Sequence, residues 1–450
     1  MKHINNKNIT LKNLQNFSNN FNKTRTNKVF KNVNTKGNFH NLILKSDYLQ
    51  NKKISFKNKI NVETKITHQH KSGRCWLFAF LNVMRIPMIE KYKLKDFEFS
   101  QNYLFFYDKL EKANFYLNFI IKNKNTPIND LKLIYMLETL TNDGGQWNMF
   151  VNLVNKYGVI PKSNMTDNFH SSNSIELTKF YNNFLRTSAN KIRTSKNIDL
   201  YKKKNQLLSE CYKILVIFLG EPPKKITWEY YKKTKKNDIY KTIENITPLD
   251  FYKKYVPYNV SDKICLINYP CKDTPFYKLY NVDMAFNVNE GKLLNFINVP
   301  TDIMIDAIKN SINNKEAVWT AIDTNKFISK QHGILDTNAF NFKDIFSFDN
   351  IMDKCNSLNY RQSAPNHAVV IRGYNLNSGK TNGFLVENSW GEKNGFKGNY
   401  YMNIDWFKKY TFEIVVDKKF VSKKVLSVLN KKPILLPYHS PFGTLLNLSL

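Results

Sequence analysis

Acidic side chains are scarce in this chain. Thirty-six Asp and Glu stand against 68 Lys and Arg, a formal net charge of +32, and residues 1–46 contain no acid at all. Arginine is scarce too, limited to Arg25, Arg74, Arg85, Arg186, Arg193, Arg361 and Arg372, so the excess charge is lysine. Such charge supplies affinity for polyanions, yet no zinc-ligand set and no aromatic-basic RNA-binding pattern accompanies it. A lysine and asparagine bias can also arise from an AT-rich coding sequence. The acid-free start has the composition of an organellar leader but lacks its arginines. No apolar run approaches the ~20 residues of a membrane span. The six-residue run Ile214-Leu-Val-Ile-Phe-Leu is expected in a core, and the chain is expected to be soluble. Five cysteines (Cys75, Cys211, Cys265, Cys271 and Cys355) make an odd set without paired spacing, which argues against a disulfide framework. There is no internal repeat and no block of low complexity beyond the lysine bias.

What is there is concentrated around one cysteine. In Thr67-His-Gln-His-Lys-Ser-Gly-Arg-Cys-Trp-Leu-Phe-Ala-Phe-Leu, a glycine precedes Cys75 by two residues, and Trp76, Leu77, Phe80, Leu81 and Met84 follow at helical spacing. The pattern predicts Cys75 in the first turn of a buried helix, with Gly73 allowing the tight entry. Free amide donors and the positive end of the helix dipole favour a thiolate there, and the thiolate is the nucleophile. Gln69, six residues upstream, carries an amide able to reach an oxyanion formed at Cys75. Read alone, the stretch also fits a buried structural cysteine.

The complement lies near the C-terminus. Asn366-His-Ala-Val-Val-Ile reads as a strand starting at His367, and Phe384-Leu-Val-Glu-Asn-Ser-Trp-Gly as a second one carrying Asn388. A cysteine with distant His and Asn is the papain-type pattern. In it His367 pairs with the Cys75 thiolate, Asn388 accepts from the other ring nitrogen, and Trp390 shields that bond from water. No cofactor and no metal is called for.

Ser-Gly-Arg-Cys-Trp-Leu-Phe-Ala, Leu81-Asn-Val-Met-Arg and Val386-Glu-Asn-Ser-Trp-Gly-Glu together resemble the bleomycin hydrolase or aminopeptidase C family, a cytosolic branch of the papain-like cysteine peptidases. The resemblance continues through Ser100-Gln-Asn-Tyr-Leu-Phe-Phe, Asn142-Asp-Gly-Gly-Gln-Trp, Tyr157-Gly-Val-Ile-Pro-Lys, Thr227-Trp-Glu-Tyr and the tail from Pro433. It implies an α+β papain-like fold with a triad of Cys75, His367 and Asn388, an oxyanion hole at Gln69, and a cysteine aminopeptidase acting on peptides with free N-termini. It also implies a cytoplasmic homohexamer. Secreted papain relatives carry a bridging cysteine three residues before the nucleophile, where this chain has Ser72, and that fits a reducing compartment. Cys75 also stands about as far from the start as in the cytosolic members, leaving little room for a removable leader. The alternatives kept open are a basic nucleic-acid-binding protein that retains a peptidase fold, with weak non-specific binding, and a dead peptidase.

Along residues 1–450, taken as one peptidase unit, the expected layout is a helical half at 60–160 with the nucleophile and a helical insertion at 165–260. A β-rich half with His and Asn follows at 261–430, and a C-terminal arm at 431–450. The insertion follows from the 292 residues between Cys75 and His367, against about 130–150 in secreted relatives. The resemblance makes it the oligomerisation arm. Pro87 is expected to end or kink the helix from Cys75. Strands are expected at 263–268, 317–323, 368–374, 383–386, 398–404 and 412–416. The family's C-terminal arm lies in its own cleft as a steric stop, here carried by Gly443 and Leu446. Ser440 replaces the usual Asp, and the chain runs several residues past the family's usual end. Self-trimming near Leu446 is therefore expected.

Overall fold

The computed structural model describes residues 8–35, 37–51, 54–196, 199–346 and 351–447. The helix Cys75–Tyr92 forms the centre of one half, with its residues from Cys75 to Ile86 all buried. It is apolar on every side, as a helix enclosed by protein must be. Gln101–Lys122 and Trp147–Tyr157 pack against it. Ser100 caps the first of these by accepting from the Tyr103 amide, and Gly158, at φ +74°, ends the second.

The other half is a sheet. Its central strands run, in spatial order, Lys263–Ile267, Thr411–Asp417, Val318–Ile322, His367–Asn377, Lys380–Glu387 and Asn399–Asn403, each antiparallel to the next. The strand from His367 is buried through Tyr374, because the nucleophile helix lies across it. That packing explains the continuous apolar run Ala368-Val-Val-Ile in place of an alternating one.

Four expectations need correction. Pro87 does not end its helix, which continues five residues beyond it. A helix-interior proline sacrifices a hydrogen bond at a cost of about 3 kcal/mol, and the burial of Ile86, Met88 and Ile89 around it offsets that loss. The 165–260 segment is not wholly helical. After Ile175–Thr194 and Leu200–Leu219 it forms a hairpin, Ile226–Lys232 paired with Ile239–Ile246. The alternation of Ile226, Trp228 and Tyr230 was its signal. The run at 214–219 forms the last turns of the helix Leu200–Leu219 and is not wholly core: Leu215 and Leu219 are buried but Ile217 is 70% exposed. Finally, Cys271 and Cys355 form a disulfide across 84 residues, with Cα atoms 5.2 Å apart, while Cys75, Cys211 and Cys265 are free. A bridge between a loop and a short helix so far apart leaves no spacing to read.

The six expected strands are present within a few residues. Leu279–Val282, Phe296–Asn298 and Ile334–Leu335, two to four residues each, were too short to register. Near the start, Leu11–Lys23 has the Thr10 cap but buries none of its residues.

Candidate active site

Cys75 opens its helix at the seam between the halves and is 1% exposed. The segment before it is fixed from both sides. Gln69 N donates to Ser389 O and Gly391 N to Thr67 O, so residues 67–69 run antiparallel beside 389–391. Gly391 has φ +74°, and a Cβ there would fall 2.6 Å from the His68 ring. Only glycine permits that approach. On the other side Gly73 N donates to Asp143 Oδ2 at 2.9 Å and Trp76 Nε1 to Asp143 O at 2.8 Å. A Cβ on Gly145 would fall 2.5 Å from the Trp76 indole.

His367 begins its strand, buried, with Nε2 2.8 Å from Asn388 Oδ1. Asn388 Oδ1 also accepts from Ser389 N, which fixes the amide's orientation. If Nε2 donates to Asn388, Nδ1 is left bare as a proton acceptor. The Trp390 indole lies over the imidazole, centroids 4.7 Å apart at 30°. The helix that Cys75 opens packs across the strand that His367 begins, and the backbone of Ala368, the residue after His367, favours the Cys75 thiolate.

Gln69 is held tightly. Its Oε1 accepts from Ser389 Oγ at 2.7 Å, and Nε2 donates to Ser72 O at 2.7 Å, leaving the second amide proton for another acceptor.

Burial pushes the Cys75 thiol up to about 12, opposed by the amides of Ala368, Trp76 and Cys75 itself. Burial pushes His367 down to about 4, opposed by the Asn388 bond, with the Lys330 ammonium adding to the fall. Each charged form alone is therefore disfavoured. Transfer of the thiol proton to the imidazole keeps the site neutral overall, so both charges appear together and stabilise each other.

Sequence reasoning left Arg74 and Asp143 without partners and gave no part to Arg85, Glu387 and Lys109. Arg74 is fully buried, donating to Asp167 Oδ1 at 2.6 Å and to Ser72 Oγ. Asp143 accepts from Lys109 Nζ at 2.7 Å. Burial alone would raise its carboxyl, but Lys109, Ser174 and the Gly73 amide hold it at about 2. A charged Arg85 in the largely apolar run from Cys75 to Ile89 was the available signal, since a buried charge requires a partner.

The tail forms a short strand, Ile434–Leu436, parallel to Leu279–Val282. Phe442 is fully buried against Tyr269, centroids 5.0 Å apart, and Gln146 Nε2 donates to its carbonyl at 3.1 Å. Gln146 follows the Asp143-Gly-Gly turn, so the tail reaches the helical half beside Trp76. Gly443 lies in the closing turn Pro441–Asn447. Leu446 lies in the same turn, and residues 448–450 lie outside the described residues.

Among the described residues no cluster of His, Cys, Asp or Glu is arranged to hold a metal, and no helix is long and apolar enough to cross a membrane.

Comparison with known proteins gives the family. The model of the peptidase C1-like family matches residues 8–443. Aminopeptidase C of Listeria monocytogenes is 40% identical over 383 residues, covering 85% of this chain and 86% of that protein. Human bleomycin hydrolase is 36% identical over 429 residues, covering 92% and 93%. The crystal structure of PepW from Lactobacillus rhamnosis superposes with a TM-score of 0.93 at 34% identity, over 97% of this chain and 99% of that one. The chain belongs to the peptidase C1-like family and is a papain-like, cysteine-type aminopeptidase.

Proposed function

We propose that Cys75, His367 and Asn388 form the catalytic triad, with Gln69 in the oxyanion hole, and that the enzyme removes N-terminal residues through a thioester. The observation that carries this is the His367–Asn388 contact of 2.8 Å on a strand against which the helix opened by Cys75 packs. His367 Nδ1 takes the thiol proton, and the thiolate attacks the carbonyl carbon of the first peptide bond. The oxyanion accepts from the second Gln69 amide proton and the Cys75 backbone N–H. As the intermediate collapses, the imidazolium gives its proton to the leaving amine. Water, deprotonated by the same imidazole, then hydrolyses the thioester. Trp390 keeps competing water from the His367–Asn388 bond.

The tail supplies the exopeptidase restriction in this reading. Its seating at Gln146 supports an arm that closes one end of the cleft, with Gly443 and Leu446 near its tip and a trimming site there. The exposed Phe169, Phe180 and Ile217 on the insertion support self-association as a homohexamer. Ser72 in place of the bridging cysteine supports a cytoplasmic setting, the Cys271–Cys355 disulfide stands against it, and the charge of +32 supports weak, salt-sensitive affinity for nucleic acid.

The test compares a fluorogenic amino-acid amide bearing a free amine with its N-acetylated twin. Hydrolysis of the free-amine compound alone is expected. Equal turnover of both contradicts an aminopeptidase.

A further inference from the structure

One cation at the site is unexplained by the chemistry above. The Lys330 ammonium lies 4.6 Å from the centre of the Trp390 ring, whose indole covers His367. Its charge opposes protonation of His367, the state the reaction must pass through. Among the described residues Lys330 takes part in no ion pair, and Glu392, two residues past Trp390, is exposed and not bound to it. Lys330 is exposed and hydrated, and a carboxylate placed against its ammonium offsets the charge that opposes the imidazolium.

The direction of entry follows from the proposed reaction. The leaving amine takes its proton from His367, so the residue beyond the scissile bond passes over Trp390 as it departs. It thereby approaches Lys330. The neighbouring wall adds no negative charge: His68 is bridged to Trp390, and its ring stacks on His70 at 3.9 Å and 8°.

We propose that Lys330 is a specificity residue of the leaving-group side, favouring substrates that carry a carboxylate on the residue immediately after the scissile bond. This rests on the aminopeptidase reading above and extends it to a substrate class. The carboxylate has two sources, the chain end of a dipeptide or an acidic side chain in a longer peptide. In either case it pairs with the ammonium and removes the charge opposing the imidazolium. A pair this exposed to water carries a preference of about fivefold in kcat/KM.

Two substrate pairs separate the sources: Ala-Ala against Ala-Ala amide, and Ala-Glu amide against Ala-Gln amide. Alanyl aminocoumarin, with an uncharged leaving group, is the reference. Wild type is expected to prefer the carboxylate member about fivefold in at least one pair, and the responding pair identifies the source. Lys330→Met should bring that ratio close to one while retaining coumarin release, and Lys330→Arg should restore it. Equal rates within both pairs in the wild type, or a preference untouched in Lys330→Met, overturns the assignment. Loss of coumarin release in Lys330→Met with the ratio preserved also overturns it, since the contact with Trp390 is then structural. Absence of coumarin release in the wild type overturns the aminopeptidase reading and this one with it.

Discussion

Arg85 Nη2 donates to Glu387 Oε1 at 2.8 Å, with both side chains 1% exposed. Arg85 belongs to the helix that begins with Cys75, and Glu387 directly precedes Asn388. Arg372, on the strand that begins with His367, binds the other oxygen of the same carboxylate. One buried carboxylate thus joins the three elements that carry the candidate triad, and holds the two halves in register.

Removing that carboxylate leaves two guanidinium groups buried and unpaired. Glu387→Gln is expected to destabilise the fold by about 3–5 kcal/mol, as breaking a buried ion pair does, measured by urea unfolding at neutral pH. Burial alone would raise the Glu387 carboxyl, but Arg85 and Arg372 hold it below its usual value. Its contribution is therefore present above the unfolded pKa, about 4.5, and is lost as pH falls through the lowered folded value. A Glu387→Gln stability equal to wild type at pH 7 would contradict the latch.

Glu413 has the opposite sign. It is fully buried, among the described residues Oε2 has no hydrogen-bond partner and Oε1 accepts only from Gln146, and burial pushes its carboxyl up to about 8. Between about pH 4.5 and 8 the folded group holds a proton that the unfolded one releases, so stability falls as pH rises across that window. Glu413→Gln is expected to gain on wild type by a few kcal/mol at pH 9, and by much less at pH 5. Melting curves at the two pH values check this; a gain independent of pH would refute it.

Asp143 acts on Cys75 through the turn before it. Asp143→Asn keeps the shape but leaves Lys109 buried without its anion, whereas Asp143→Asn with Lys109→Met removes both charges. The single variant is expected to lose about tenfold or more in kcat, because small displacements of a nucleophile are amplified in rate. The double variant should recover stability more than kcat. Full activity in the single variant would remove Asp143 from the positioning role.

The arm has its own test. Truncation before residue 440 removes Phe442 and its bond from Gln146. The truncated enzyme is expected to cleave N-acetylated peptides that the full chain leaves intact. No gain of that activity would mean that the tail does not close the cleft.

The two halves of the site were legible separately because each signal is local. Gly73 two residues before Cys75 marked a helix entry, and the run after His367 marked a strand. The connections between them were not legible, since Arg85–Glu387 spans 302 residues and Lys109–Asp143 joins a helix to a distant turn. The Cys271–Cys355 bridge was lost for the same reason, as sequence order carries no distance information. Pro87 misled because tertiary burial outweighed a local rule. The hairpin at 226–246 was hidden because only its first strand alternates, while Ile239–Ile246 is almost wholly exposed.

The most direct measurement of the central claim is acid-quenched mass spectrometry of enzyme mixed with an alanine ester, in wild type and in Cys75→Ala. The account predicts an alanyl adduct on the peptide containing Cys75 in the wild type. It predicts no adduct and no turnover in Cys75→Ala, with an unchanged circular dichroism spectrum. An adduct elsewhere, or turnover by Cys75→Ala near the wild-type rate, would contradict it.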